Sequence, residues 1–193
     1  MKPRGALFRL ATIMTVMVAL VGCETVDDVV EYVKPSGPTV CPDISILANA
    51  AEQTAFKAGP GRDLIDILFE AEFSGVRVDC DYDLDRSTRA GTLEVNVFPL
   101  FTAEKGAANR DGRALVSYFV AVTDRDKKII NKQTFEVALV FQGNATKAGF
   151  SDQPVILTLP IEAGRDGRDF LIYAGFQLTR EQMDYNTRKR ERR

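Results

Sequence analysis

Histidine and tryptophan are absent from all 193 residues, and cysteine occurs only three times. Without imidazole the chain cannot build a Ser-His-Asp or Cys-His nucleophilic system, nor a zinc site that uses histidine. Hydrolytic chemistry would have to come from carboxylates, as in glycosidases, and would need two acids facing each other across a cleft of about 5–10 Å. Long apolar runs are missing too. Residues 10–21 are apolar except for Thr12 and Thr15, a stretch shorter than the roughly 20 residues of a spanning helix. The remainder is ordinary for a globular protein, 45% hydrophobic and 27% charged, which argues against wholesale disorder.

What is present begins at the N-terminus. Lys2, Arg4 and Arg9 stand there without an acid, ahead of the apolar run and the small Gly22. A basic segment, an apolar core and a small residue before the cut form the secretory-signal pattern; an uncleaved signal anchor is the alternative. Leu20-Val21-Gly22-Cys23 resembles the lipobox of bacterial lipoproteins. That resemblance implies a thioether-linked diacylglycerol on Cys23, cleavage before it, and acylation of the new terminus. Two or more acyl chains hold a protein stably on a membrane, where one does so only marginally. The expected organisation is a signal peptide over residues 1–22, an anchor and linker over 23–40, a folded domain over 41–179 and a basic tail over 180–193. Glu24, in place of the aspartate that retains enteric lipoproteins at the inner membrane, points to the outer membrane and the periplasm.

An exported location sets the reading of the other two cysteines. With Cys23 lipidated, Cys41 and Cys80 are left as a pair with one internal connectivity, and a disulfide is expected. Two buried thiols are the alternative. Closing that loop stabilises by up to about 4 kcal/mol in the chain-entropy model. Lys2, Arg4 and Arg9 are three of the 25 basic residues, so the remaining 22 face 27 acids, net −5. Residues 180–193 carry six bases and three acids, which leaves the intervening body at −8. An acidic body argues against nucleic acid as a partner.

Alternation of apolar and polar residues dominates the rest. Residues 43–56 suit either a helix face or a strand, and the strands that follow favour strand. Ile65, Ile67, Phe69, Ala71 and Phe73 occupy odd positions, whereas Val76, Val78, Cys80, Tyr82 and Leu84 occupy even ones. A period of two cannot change parity without a bulge or turn, so Ser74-Gly75 must hold one. Leu93, Val95 and Val97 alternate toward Pro99, which suggests an edge strand or a bulge. Ala114 to Val122 and Ile129 to Phe141 read as a long hairpin about Asp124-Arg125-Asp126-Lys127. Shorter strands follow at Val155, Leu157 and Leu159, closed by Pro160, and at Phe170 to Leu178 after Gly164-Arg165-Asp166-Gly167.

Seven to eight strands with frequent turns predict an all-β chain, either sandwich or barrel. A lipocalin-type barrel has the right size but usually carries a tryptophan near its first strand. The long hairpin resembles those of immunoglobulin- and fibronectin-III-like modules, and that antiparallel sandwich is the expected fold. Gly175-Phe176-Gln177-Leu178-Thr179-Arg180-Glu181-Gln182-Met183-Asp184-Tyr185-Asn186, Tyr118-Phe119-Val120-Ala121-Val122 and the Cys41–Cys80 segment resemble a group of alphaproteobacterial lipoproteins that carry no assigned activity.

Two charged features invite a ligand. Asp81-x-Asp83-x-Asp85 matches the first half of a calcium loop, but Arg86 and Thr92 stand where glycine and glutamate are required. With Cys80, Tyr82 and Leu84 pointing inward, these aspartates are expected on the wet face of a strand, where they discourage edge pairing. The basic end could touch lipid phosphates at about 1 kcal/mol per charge. Alternatively it is a solvated helix end, capped by Thr179 with Gln182 in capping-box position. The function expected from all of this is a lipid-anchored, non-catalytic envelope protein. It would be held to the membrane by the acyl chains on Cys23, need no cofactor, and bind or scaffold another envelope protein. A small-ligand or calcium carrier is the alternative, and a carboxylate hydrolase the third reading.

Overall fold

A computed structural model describes residues 40–191; Cys23, the lipobox and the expected signal peptide and most of the linker lie outside them. Nine strands and one α-helix follow in order: β1 Asp43–Ile46, β2 Glu52–Phe56, β3 Ile67–Leu84, β4 Gly91–Lys105, β5 Arg113–Asp124, β6 Ile129–Val140, β7 Lys147–Ser151, β8 Val155–Ile161, β9 Phe170–Phe176 and α1 Arg180–Glu191. The first sheet has the order β1-β9-β5-β6. The second runs β2-β3-β4, with β7 and β8 sharing the far side of β4. All pairings are antiparallel except that of β1 with β9. The expected all-β sandwich is present. It shares the two-sheet architecture of immunoglobulin-like modules, with its own strand connectivity.

Alternation explains the core. Odd positions of β4 bury Leu93, Val95, Val97, Phe101 and Ala103, and even positions of β5 bury Val116, Tyr118, Val120 and Val122. Between the sheets four rings interlock. Phe73 lies 4.7 Å from Phe101 and 4.8 Å from Phe176, centroid to centroid, and Phe101 lies 5.2 Å from Tyr118. Such pairs contribute about 0.5–1.5 kcal/mol each beyond the area they bury. The Tyr118 hydroxyl escapes isolation by donating to Asp152 Oδ2 at 2.8 Å. Burial, together with the Asp152 carboxylate, pushes that phenol above its usual range.

The parity change in β3 is a bulge, with the register against β4 slipping between Phe73 and Gly75. The hairpin of β5 and β6 is also where the alternation placed it. Other expectations need adjusting. Residues 43–56 are two strands in different sheets, separated by a 3-10 turn at Ala48–Ala50. Ile65 belongs to a 3-10 turn at Leu64–Asp66 and is 71% exposed, so β3 begins two residues later. Strand β7, with Gly149 at its centre, was not anticipated, which brings the count to nine. Pro99 lies inside a central strand. It is tolerated there because β8 pairs residues up to Val97 and β7 resumes at Leu100, leaving a gap opposite the proline. Pro160 lies in β8, which among the described residues pairs only with β4, and an edge accepts a residue without an N–H.

Arg180–Glu191 form a helix docked by one face rather than a wholly solvated end. The capping box forms as expected, with Thr179 N donating to Gln182 Oε1 at 2.9 Å and Gln182 N to Thr179 Oγ1 at 3.2 Å. Gln182, Tyr185, Asn186 and Lys189 recur at helical spacing and share one face. Tyr185 meets Phe56 edge-on at 5.1 Å, and Asn186 Nδ2 donates to the Glu52 carbonyl at 2.7 Å. Arg188, Lys189 and Arg190 in the last turn complement the helix dipole.

Candidate functional site

Strand β3 carries the residues singled out in the sequence, and its pleat separates them into two groups. Asp79, Asp81 and Asp83 lie on its exposed side, opposite Asn96, Glu94 and Thr92 of β4. Cys80, Tyr82 and Leu84 face the core, as the alternation implied. The aspartates do not converge on a cation. Asp85 has left the strand for the turn and accepts from Ser87 N, Ser87 Oγ, Thr88 N and Thr88 Oγ1 at 2.6–3.0 Å. The Ser87 hydroxyl and the Thr88 amide hold its carboxyl well below the usual carboxylate range. Among the described residues no group of three or more acidic or cysteine side chains is placed to share a metal ion.

The inward side of β3 builds a fastening. Cys80 is joined to Cys41 in the expected disulfide, with Cα atoms 5.8 Å apart. Two residues on, the Tyr82 hydroxyl donates to the Val40 carbonyl and accepts from Gly167 N, both at 2.6 Å. Burial raises the Tyr82 pKa, so the phenol stays protonated and keeps both bonds. A Cβ on Gly167 would come within 2.2 Å of the Val40 oxygen, so only glycine lets the two chains pass this closely. Immediately afterwards β1 enters the first sheet parallel to β9, pairing Asp43 with Leu171 and Ile46 with Ala174. The chain is therefore fastened covalently, through a tyrosine and through a ladder within a few residues of Val40. The sequence pointed to the disulfide. It carried no signal for Tyr82, whose partners are 42 and 85 residues away.

A second cluster arises where three strands and α1 meet. Glu52, Glu70, Glu72 and Glu104 come from β2, β3 and β4, where Glu52 pairs with Glu72 and Glu70 with Glu104 in register. Lys189 reaches across from α1 to Glu70 Oε1 at 2.8 Å and Glu52 Oε2 at 3.1 Å, and Lys147 binds Glu104 Oε1 at 2.7 Å. Burial acts to lower the Lys189 pKa, but the bonds to Glu70 and Glu52 outweigh it and the ammonium ends above its ordinary value. The groove over these residues encloses about 210 Å³. Another cavity of about 250 Å³ lies beside α1, lined by Phe56, Arg62, Tyr185 and Arg188. Both sit on the outside of the second sheet, whereas the space between the sheets is filled by side chains. Alternation along single strands gives no signal for this cluster, because its gathering depends on strand order.

Chemically, the described surface offers a cluster of four glutamates, three of them ion-paired with two lysines, and a firmly attached N-terminal entry. Comparison of the chain with protein-family models, with curated proteins and with solved structures returned no match.

Proposed function

We propose that this protein is a lipid-anchored component of a bacterial cell envelope, held through acyl chains on Cys23, whose sandwich binds or scaffolds another envelope protein without catalysis. The observation that carries this reading is the fastening at the entry to the domain. A sandwich hung from a lipid would take load at Val40. There Cys41–Cys80, the Tyr82 hydroxyl and the parallel β1–β9 ladder tie the chain to two strands, β3 and β9, one in each sheet. Disulfides persist in oxidising compartments such as the periplasm, which agrees with an exported chain. Among the described residues no helix is long and apolar enough to cross a membrane, so the lipobox-like Leu20-Val21-Gly22-Cys23 is the proposed attachment.

A non-catalytic role is supported by the lack of histidine and by the pairing of Glu52, Glu70 and Glu104 with lysines. The ring cluster between the sheets takes the volume that a carried small molecule would need. Likeness to alphaproteobacterial lipoproteins, read from the residues alone, points the same way, and Glu24 favours the outer membrane.

Metabolic labelling with a radioactive fatty acid tests the anchor. The full chain is expected to take up label and the Cys23→Ser chain to take up none; label on the variant overturns the assignment. In-cell crosslinking followed by mass spectrometry tests the partner. Recovery of a second envelope protein is expected, and its absence above background defeats the scaffold reading.

A further inference from the structure

The five strands that end or flank a sheet differ in how they are protected. Strand β1 has four residues and is tied down beside its disulfide. Strand β2 has five, and α1 packs on it. Strand β7 has five residues and contains Gly149, and β8 contains Pro160. Strand β6 has twelve residues with neither proline nor glycine, and among the described residues it pairs only with β5. Its register against β5 is regular from Asn131 to Val140, with one shift at the hairpin end. A long, regular, sparsely charged edge is a template for another strand unless something blunts it.

The hydrogen-bond phase shows what this edge presents. Phe141 N donates to the Gly112 carbonyl, while Gln177 N donates to the Ser117 carbonyl on the other flank of β5. Even residues of β5 therefore bond to β6 and odd ones to β9. Through the pairs Val116–Val137 and Tyr118–Phe135, the odd residues of β6 face β5. Lys132, Thr134, Glu136 and Ala138 are left with their N–H and C=O groups directed outward.

From this we propose that β6 pairs antiparallel with β6 of a second copy, centred on Thr134, to join two four-stranded sheets into one. The pattern is self-complementary only in that register. An antiparallel pair keeps each residue on its own face only if its numbers sum to an even value. Centring on Thr134 sets Lys132 opposite Glu136 of the other copy, twice by symmetry, and Phe135 opposite Gln133. Moving the centre by one residue in either direction sets Lys132 and Glu136 opposite uncharged residues; moving it by two sets Lys132 against Lys132 or Glu136 against Glu136, and like charges directly opposite are unfavourable. Both side chains are exposed. Lys132 now leans over the Phe119 ring at 4.5 Å and donates to Gln177, and Glu136 accepts from Ser117 Oγ at 3.2 Å. A two-fold, isologous contact of this kind closes on itself as a dimer.

Sedimentation equilibrium of the full chain in detergent tests the pairing. A dimer is expected. Lys132→Glu and Thr134→Pro should each weaken it about tenfold or more, and the Lys132→Glu/Glu136→Lys double variant should restore it. The double variant keeps the test decisive if the proline chain misfolds. A chain that stays monomeric at the highest concentration attainable overturns the proposal. So does a dimer indifferent to the single charge reversal, or a double variant no tighter than Lys132→Glu.

Discussion

Strands β2 and β6 each end a sheet, and they end it differently. β2 is short and overlaid by a helix that arrives about 130 residues later. Asn186 reaches its Glu52 carbonyl, Tyr185 its Phe56 ring, and Lys189 its Glu52 carboxylate. β6 is more than twice as long and has no such neighbour among the described residues. A sheet edge carries unpaired backbone groups whatever its sequence. The contrast teaches that the C-terminal segment closes one edge, and that the other is closed, in our proposal, by a second copy. The sealed edges and the fastened entry should govern folding stability. The bare edge should govern association.

The most damaging change expected to folding is loss of the fastening beside β1. Replacing Cys41 and Cys80 together with serine should cost about 2–4 kcal/mol in urea unfolding, with little effect on dimerisation, because β6 lies at the opposite end of that sheet. A matched loss of dimer would blur the contrast. Next comes the seal on β2. Asn186→Ala removes the donor that α1 supplies to the Glu52 carbonyl and should cost about 1–3 kcal/mol in the same measurement.

Lys189→Met should cost less, about 1 kcal/mol, since the ammonium is partly solvated. Its pH signature is more telling. The Lys189 pKa is raised in the folded chain, so its contribution is complete below the unfolded lysine value of about 10.4 and disappears as pH climbs through the folded value. Unfolding followed across the alkaline range should show that limb in the wild type and lose it in Lys189→Met. The smallest effect is reserved for the bare edge. Thr134→Pro removes an outward N–H and leaves the β5 ladder intact, so monomer stability measured at high dilution should change by no more than about 0.5 kcal/mol. A large loss there would mean that the N–H faces β5, and the assigned edge would be wrong.

Much of the sandwich was legible because strand alternation is a local property. The odd-to-even switch at Ser74-Gly75 announced a bulge, the two apolar runs about Asp124 announced the hairpin, and Thr179 with Gln182 announced a capped helix. The disulfide was readable once Cys23 was set aside. Residues 43–56 were only half readable, because four- and five-residue strands give a pattern too short to separate from a helix turn. β7 was not readable at all. Its Lys147-Ala148-Gly149-Phe150-Ser151 has little strand preference of its own and takes its conformation from pairing with Leu100–Glu104. The calcium-like aspartates of β3 lie on its wet face, as the alternation implied: residues two apart on a strand share a face but are held in line, where a cation needs ligands curled around it.

The sequence by itself determined which face of each strand is dry, where the pleat must slip and where the chain must turn, because those follow from side-chain period and backbone chirality within a few residues. Only the tertiary structure decided neighbours: β1 beside β9, four glutamates brought together with two lysines, α1 laid over β2, and β6 left at the margin. Such choices depend on contacts between segments far apart in the chain, and a pattern with a period of two is indifferent to which strand comes next to which.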